Sequence, residues 1–138
     1  MNSNSARSFV RTIKLNEFEN SFCELIKNKY TFFAYFYGGY DQNGVSWCSD
    51  CVISKPNVDE ASKILEKTEN IFLVKLPIDD KNEWRNQNFI YRTHDKVKIS
   101  RVPTLIYYHK GIEFGRLIED QLFDLDNVKA FFEQSLDI

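Results

Sequence analysis

Two cysteines set three apart, in Trp47-Cys48-Ser49-Asp50-Cys51, are the residues of this chain best suited to do chemistry. A Cys-x-x-Cys pair can pass between dithiol and disulfide, and the thiolate is the form that attacks. At the start of a helix, unpaired backbone N–H groups and the positive end of the macrodipole stabilise such a thiolate. Cys48 gains most there and is the expected nucleophile. Cys51, one turn on and on the same face, is the expected resolving thiol. A free thiol with a pKa near 8.5 is about 3% thiolate at pH 7, and a pKa near 7 makes it about half thiolate. Zinc is the competing use of paired cysteines, but it takes four ligands, and only Cys23, His94 and His109 remain, scattered along the chain. The second feature is Val102-Pro103-Thr104, just before an apolar run. A cis bond there would expose backbone N–H and C=O groups to an extended substrate beside Cys48. Only about 5–6% of X–Pro bonds in folded proteins are cis, so the tripeptide taken alone predicts trans.

The elements that must position these residues follow from the apolar pattern. Phe9, Val10 and Ile13 suggest a short first strand. Asn16 with Glu19 matches a capping box, and Phe18, Phe22, Leu25 and Ile26 then recur at helical spacing, predicting a helix over Glu17–Lys27. The run Phe32–Phe36 reads as a strand buried on both faces, and Gly38–Val45 as a loop with Gly-Gly and Asn-Gly turn signals. A helix opens at Cys48, contains Pro56, and is expected to bury Val52, Ala61, Ile64 and Leu65. Ile71–Leu76 is a further strand. Asp79–Tyr91 is a helix, or a helix plus loop. Thr104–His109 and Ile112–Ile118 flank the Lys110-Gly111 turn as a hairpin. Leu122–Leu136 closes the chain as a helix with Leu125, Val128, Phe131 and Phe132 inward and a cap at Asp124 or Asp126. Strands and helices alternate and then end in a hairpin, so the expected fold is α/β, with a central mixed sheet and helices on both faces.

Composition excludes several classes. At 138 residues the chain suits one domain, expected over residues 9–138 after a loose leader at 1–8. Lys plus Arg number 18 and Asp plus Glu 20, a net charge of −2, which argues against a basic nucleic-acid-binding face. No apolar run is long enough to span a membrane. The polar N-terminus does not read as a signal peptide, so the expected compartment is the cytoplasm. Three cysteines do not make a disulfide framework.

Taken together, Cys-x-x-Cys opening a helix, Pro56 five residues after Cys51, and Val-Pro-Thr before the last hairpin resemble the thioredoxin superfamily. Phe33-Ala34-Tyr35-Phe36, a Gly-containing insertion, and Ser46 to Cys51 resemble more narrowly the family of the thioredoxin-related protein of 14 kDa, or thioredoxin domain-containing protein 17. Trp84 also resembles a Trp of that family. The resemblance implies a thioredoxin-like three-layer sandwich and a cytosolic disulfide reductase. Its electrons would come from NADPH through thioredoxin reductase, with no bound cofactor. Small disulfides such as cystine and selected protein disulfides are the implied substrates, with peroxide reduction a weaker attribution. Trp47, Ser49, Val102, Pro103 and Thr104 would line the substrate groove, and a monomer is expected. Two departures stand out. Ser49 occupies the position where the family has Pro, which predicts a more oxidising couple. Thioredoxins carry a buried Asp on the strand before the motif, whereas Thr31–Tyr37 contains no acid. Asp50 is the nearest carboxylate for handling the Cys51 proton, or else a solvated first-turn residue favoured by the dipole.

Other residues carry weaker signals. Cys23 reads as a core residue rather than a second redox centre. Tyr40 and Asp41, in the insertion, are either substrate contacts or loop polar groups. Lys96 and Lys98 read as a solvated edge, and His94 and His109 belong to no catalytic constellation. Rival readings are an oxidant or isomerase, a thiol peroxidase working through a sulfenic acid at Cys48, and a non-catalytic binding module using the same groove.

Overall fold

The aromatic run at the centre of the sequence forms β2 (Thr31–Gly38), the middle strand of a five-stranded sheet, in a computed structural model that describes residues 8–137. The leader expected at 1–8 lies outside these residues apart from Ser8. The other strands are β1 (Val10–Thr12), β3 (Ile71–Ile78), β4 (Thr104–His109) and β5 (Ile112–Ile118), in the order β1-β3-β2-β4-β5. β3 runs parallel to β1 and β2, whereas β4 is antiparallel to β2 and β5. From Phe32 to Tyr37 no side chain of β2 is more than 9% exposed, which is why the strand is apolar at every position and does not alternate.

Side chains alternate across a strand, and the aromatic contacts show what each face of β2 meets. Phe33 lies 4.2 Å ring to ring from Phe132 on α5 (Leu125–Leu136), and the Tyr35 hydroxyl hydrogen-bonds Ser54 on α2 (Ser49–Ala61). On the opposite face Phe32 and Phe36 meet Phe22, next to α1 (Cys23–Lys27), at 5.5 and 6.2 Å. Phe36 also lies 5.1 Å from Tyr91 on α4 (Ile90–Thr93). The result is the expected mixed sheet between two helical layers.

Several local expectations are corrected. The helix expected over Glu17–Lys27 is divided into a 3₁₀ turn (Leu15–Glu17), a π-helical turn (Phe18–Phe22) and α1. The wider π turn sets Phe18 and Phe22 over one another, stacked at 5.0 Å, so that both enter the core. The capping box is Lys14 with Glu17 rather than Asn16 with Glu19, the Glu17 carboxylate accepting the Lys14 N–H at 3.0 Å. Along α2 and the segment that follows it, Val52 and Ile64 are not inward: they are 48% and 36% exposed, and the buried line is Cys51, Ser54, Val58, Ala61 and Leu65. Serine on the inner face and Val and Ile on the outer one displace the apparent apolar stripe. α2 passes into a 3₁₀ segment (Ser62–Lys67), and Pro56 lies inside the helix as expected. Asp79–Tyr91 holds α3 (Lys81–Arg85) and the start of α4. Leu122 belongs to a 3₁₀ turn (Glu119–Leu122), and α5 begins only after Asp124, whose carboxylate accepts the Asp126 N–H at 3.0 Å. Leu125 and Phe131 are only partly buried, whereas Val128 and Phe132 are fully inside.

Candidate active site

β2 delivers the chain to the site and α2 carries it away. Cys48 is the N-cap of α2, and its sulfur accepts the Cys51 backbone N–H at 3.2 Å. Cys48 and Cys51 are joined by a disulfide, with their Cα atoms 5.2 Å apart. Cys51 is fully buried, and its sulfur accepts the Gly38 N–H at 3.3 Å; Cys48 is 7% exposed. The two thiols are therefore unequal in access, with the helix-cap sulfur as the outer one. The Ser46 hydroxyl donates to the Gly38 carbonyl at 2.9 Å and accepts the Cys48 N–H at 3.1 Å, so it pins the motif to the end of β2. Trp47 is fixed by its indole N–H, which donates to the Ile78 carbonyl at 2.8 Å.

The Val102-Pro103 peptide bond is cis, against the expectation from the tripeptide alone. The Val102 carbonyl faces the Cys48 sulfur at 4.0 Å. The neighbouring groups are engaged elsewhere: the Pro103 carbonyl accepts the Glu119 N–H at 2.9 Å, and the Thr104 hydroxyl donates to the Arg101 carbonyl at 2.6 Å. Of the Val102-Pro103-Thr104 set, Val102 is the residue brought to the sulfur, while Pro103 and Thr104 are buried behind it.

Two cavities flank Trp47. One of about 300 Å³ opens over Cys48, with Trp47, Ser49, Asp50, Trp84 and Val102 among its walls, and Lys81 and Arg85 of α3 complete it. The larger, about 530 Å³, lies on the insertion side between Tyr40, Asp41, Trp47 and Asp79 and does not include either cysteine. Cys48 lines the smaller cavity and not the larger one. Tyr40 and Asp41 thus stand one wall away from Cys48. The insertion expected to be a plain loop is a small closed hairpin, bridged at Tyr40 and Ser46, with the Asp41 carboxylate accepting the Asn43 and Val45 N–H groups at 2.8 and 3.0 Å.

Gly38 was legible only as a turn signal, yet it is the last residue of β2 and shapes the site. A Cβ there would stand 2.6 Å from the Cys48 Cβ and 2.9 Å from the Trp47 ring. Trp84 reaches the Cys48 cavity from α3, held from behind by the Arg92 guanidinium 3.6 Å over its ring. No spacing signal in the sequence links α3 to the cysteines; the aromatic chain Phe36, Tyr91, Phe89, Trp84 does.

The strand lacking an acid carries a buried phenol, Tyr35. Tyr35 lies under α2 and hydrogen-bonds Ser54, whose hydroxyl also reaches the Cys51 carbonyl at 3.2 Å. Burial holds the Tyr35 hydroxyl protonated, far above its ordinary range, and pushes Tyr37 up to about 12, helped by the charges of Asp59 and Asp79. Asp50 is half-buried at the rim of the cavity, in the first turn of α2.

Away from the site, Cys23 and His94 are not scattered: the sulfur lies 3.7 Å from Nε2. The Lys96 N–H donates to His94 Nδ1 at 3.1 Å, which leaves the proton of the neutral ring on Nε2, facing the sulfur. Burial and the nearby carboxylates of Glu19 and Glu24 raise the Cys23 pKa, the opposite of an activated thiol. Among the described residues, no three His, Cys, Asp or Glu side chains gather as a metal set. No described helix is long and apolar enough to cross a membrane.

Known proteins resemble this chain in sequence and in fold. The chain is 41% identical over 104 residues to thioredoxin domain-containing protein 17 of Mus musculus, covering 75% of this chain and 79% of that one. It is 32% identical over 107 residues to the Homo sapiens protein of the same name, covering 78% and 81%. Among solved structures, oxidised thioredoxin O2 of Arabidopsis thaliana superposes with a TM-score of 0.63 over 93% of this chain and 95% of that one; at 21% identity this likeness bears on the fold alone. The family model described as thioredoxin domain-containing protein 17-like, thioredoxin domain, matches residues 11–134, and the chain belongs to that family of the thioredoxin superfamily.

Proposed function

We propose that this protein is a disulfide reductase working by thiol–disulfide exchange at Cys48 and Cys51. The observation that carries the reading is the pair at the N-terminus of α2, with the capping sulfur at the cavity and its partner sealed beneath. In the reduced state the Cys48 thiolate attacks one sulfur of the substrate disulfide. A mixed disulfide forms and the first substrate thiolate leaves with a proton from solvent. Cys51, deprotonated, then attacks the Cys48 sulfur, releases the second thiol and closes the disulfide. The Cys51 N–H, aimed at the Cys48 sulfur, and the helix dipole favour the attacking thiolate. Trp47, Ser49 and Val102 would contact the substrate. Asp50, at the cavity rim, would take up or return the Cys51 proton. Pro103 and Thr104 would act by holding Val102 in place.

The cycle closes when an NADPH-dependent thioredoxin reductase returns two electrons to the pair, with no cofactor bound to this chain. The setting is the reducing cytoplasm, the protein acts as a monomer, and its substrates are small disulfides such as cystine together with selected protein disulfides. The test follows NADPH oxidation with thioredoxin reductase and cystine, comparing wild type with Cys48→Ser. Turnover in the wild type and none in the variant is expected. Equal rates for both proteins would sink the reductase reading and leave docking of a partner in this groove as the stronger one.

A further inference from the structure

Resting on that reading, we infer that Lys81 and Arg85 form an anion subsite that selects disulfides carrying a carboxylate close to the sulfur. The Cys48 cavity is walled by aromatic rings, Trp47 and Trp84, and by three charges, Lys81, Arg85 and Asp50. Lys81 and Arg85 stand four apart on α3 and so share a face of the helix. Like charges at that spacing work against a helix, and neither forms an ion pair with another described residue. Six other basic side chains, by contrast, do have carboxylate partners. Two unneutralised cations against one carboxylate leave the cavity with an excess of positive charge beside the reacting sulfur, in a chain whose net charge is −2.

α3 is set firmly enough to act as a wall. Its Asp80 cap accepts the Asn82 N–H at 2.8 Å, and Arg92 donates to the Trp84 carbonyl at 2.7 Å while covering the Trp84 ring. The substrate disulfide must lie over Cys48, and with a cavity of about 300 Å³ there is room for one arm of it between Trp84 and α3. A carboxylate on that arm meets the guanidinium and the ammonium, and the guanidinium can bind it with two hydrogen bonds. The same chemistry is offered by a small dicarboxylate disulfide and by an Asp or Glu next to a disulfide-bonded cysteine in a peptide. The exchange is unchanged: one substrate disulfide and two protein thiols give two substrate thiols and the Cys48–Cys51 disulfide.

The experiment uses the pre-reduced full chain in single turnover, so that no reductase enters. The probes are 3,3′-dithiodipropionate (anionic), 2-hydroxyethyl disulfide (neutral) and cystamine (cationic), each rate divided by that of a free dithiol, which corrects for intrinsic reactivity. At low salt the normalised rate with the anionic probe is expected to exceed the neutral one at least about fivefold, with the cationic probe slowest; the preference shrinks as the Debye length falls to about 8 Å at physiological ionic strength. Lys81→Gln with Arg85→Gln should bring the anionic-to-neutral ratio to about one, and Lys81→Arg with Arg85→Lys should retain it. A ratio cancels any effect of these charges on the Cys48 thiolate itself, since that acts on every probe alike. Oxidised peptides with Glu or Gln beside the cysteine distinguish the two sources: a preference for Glu extends the subsite to peptides, and equal peptide rates restrict it to small disulfides. A wild-type ratio near one for the small probes overturns the inference and leaves the reductase reading intact. A protein that reduces none of the three probes overturns both.

Discussion

Gly38 does two jobs at the site, and the second is open only to glycine. Its N–H holds the Cys51 sulfur, and its missing Cβ admits the Cys48 side chain and the Trp47 ring. Gly38→Ala must push the motif away from β2. Overpacking of this kind typically costs about 1–3 kcal/mol. We expect a urea midpoint lowered accordingly and a cystine-reduction rate that falls by more than the loss of folded protein explains. A full rate at unchanged stability would mean that the close approach is not needed. Ser49 is the other informative residue. It is the first residue of α2, a position where Pro is well accepted because the N–H has no helical partner. Ser49→Pro removes an N–H and a hydroxyl beside the Cys48 thiolate. The expected result is a reduction potential lower by about 30 mV, a tenfold change in the equilibrium, measured against glutathione. An equal or higher potential would refute it. At this scale the cysteines were legible, because Cys-x-x-Cys has few other uses at a helix start. Gly38, Ser46 and Trp84 stood out only as a turn signal or as part of the family resemblance, because what they do depends on which strand end and which helix come to lie beside the motif.

The elements show where periodicity misleads. α2 buries Ser54 and exposes Val52, so its polar and apolar positions do not separate into two faces. The inner serine is satisfied by Tyr35 and by the Cys51 carbonyl, and these contacts join β2 to the first turns of α2. Further along, Asp59 ties α2 to β3, with Lys75 at 2.7 Å and Lys55 at 2.8 Å. Partial burial works against the Asp59 carboxylate, but the two ammonium groups outweigh it and hold the acid below its ordinary range. A carboxylate depressed in the folded state stabilises the fold above its unfolded pKa, near 3.9, and the benefit is lost as pH falls through the folded value. Asp59→Asn should therefore cost about 1 kcal/mol at pH 7, discounted because the side chain is 36% exposed, and should cost the same at pH 5. Below about pH 4 the two proteins should converge. Urea midpoints at pH 7, 5 and 3 read this directly, and a gap as wide at pH 3 as at pH 7 would remove the ion pair as its cause. Such a pair joins residues 16 apart on two elements, a link that helical spacing does not disclose. The π turn at Phe18–Phe22 is hidden for a similar reason: it forms because two rings must enter one cluster built by β2, β4 and α4.

At the scale of the molecule, the site is the end of the central strand. The order of strands and helices was legible as a mixed sheet, since a parallel crossover needs a helix and a hairpin does not. Which strand lies in the middle was legible only in part, through the aromatic run from Phe32 to Tyr37 that no one-sided strand would carry. The consequence is that stability and chemistry share one strand. Phe33 lies between Tyr107 of β4 at 4.7 Å and Phe132 of α5 at 4.2 Å, in the half of β2 away from Gly38. Phe33→Ala should cost about 3–5 kcal/mol, a large part of the 5–15 kcal/mol typical of a domain. If β2 is the common support, then far-UV circular dichroism, tryptophan fluorescence and thiol reactivity of the reduced protein should all report one midpoint in urea, shifted together in the variant. Trp47 and Trp84 place the fluorescence signal at the site, whereas the substitution lies in the opposite half of the strand. A site signal that kept its wild-type midpoint while the circular dichroism shifted would show that the active-site end folds as a separate unit, with β2 joining two regions rather than supporting one.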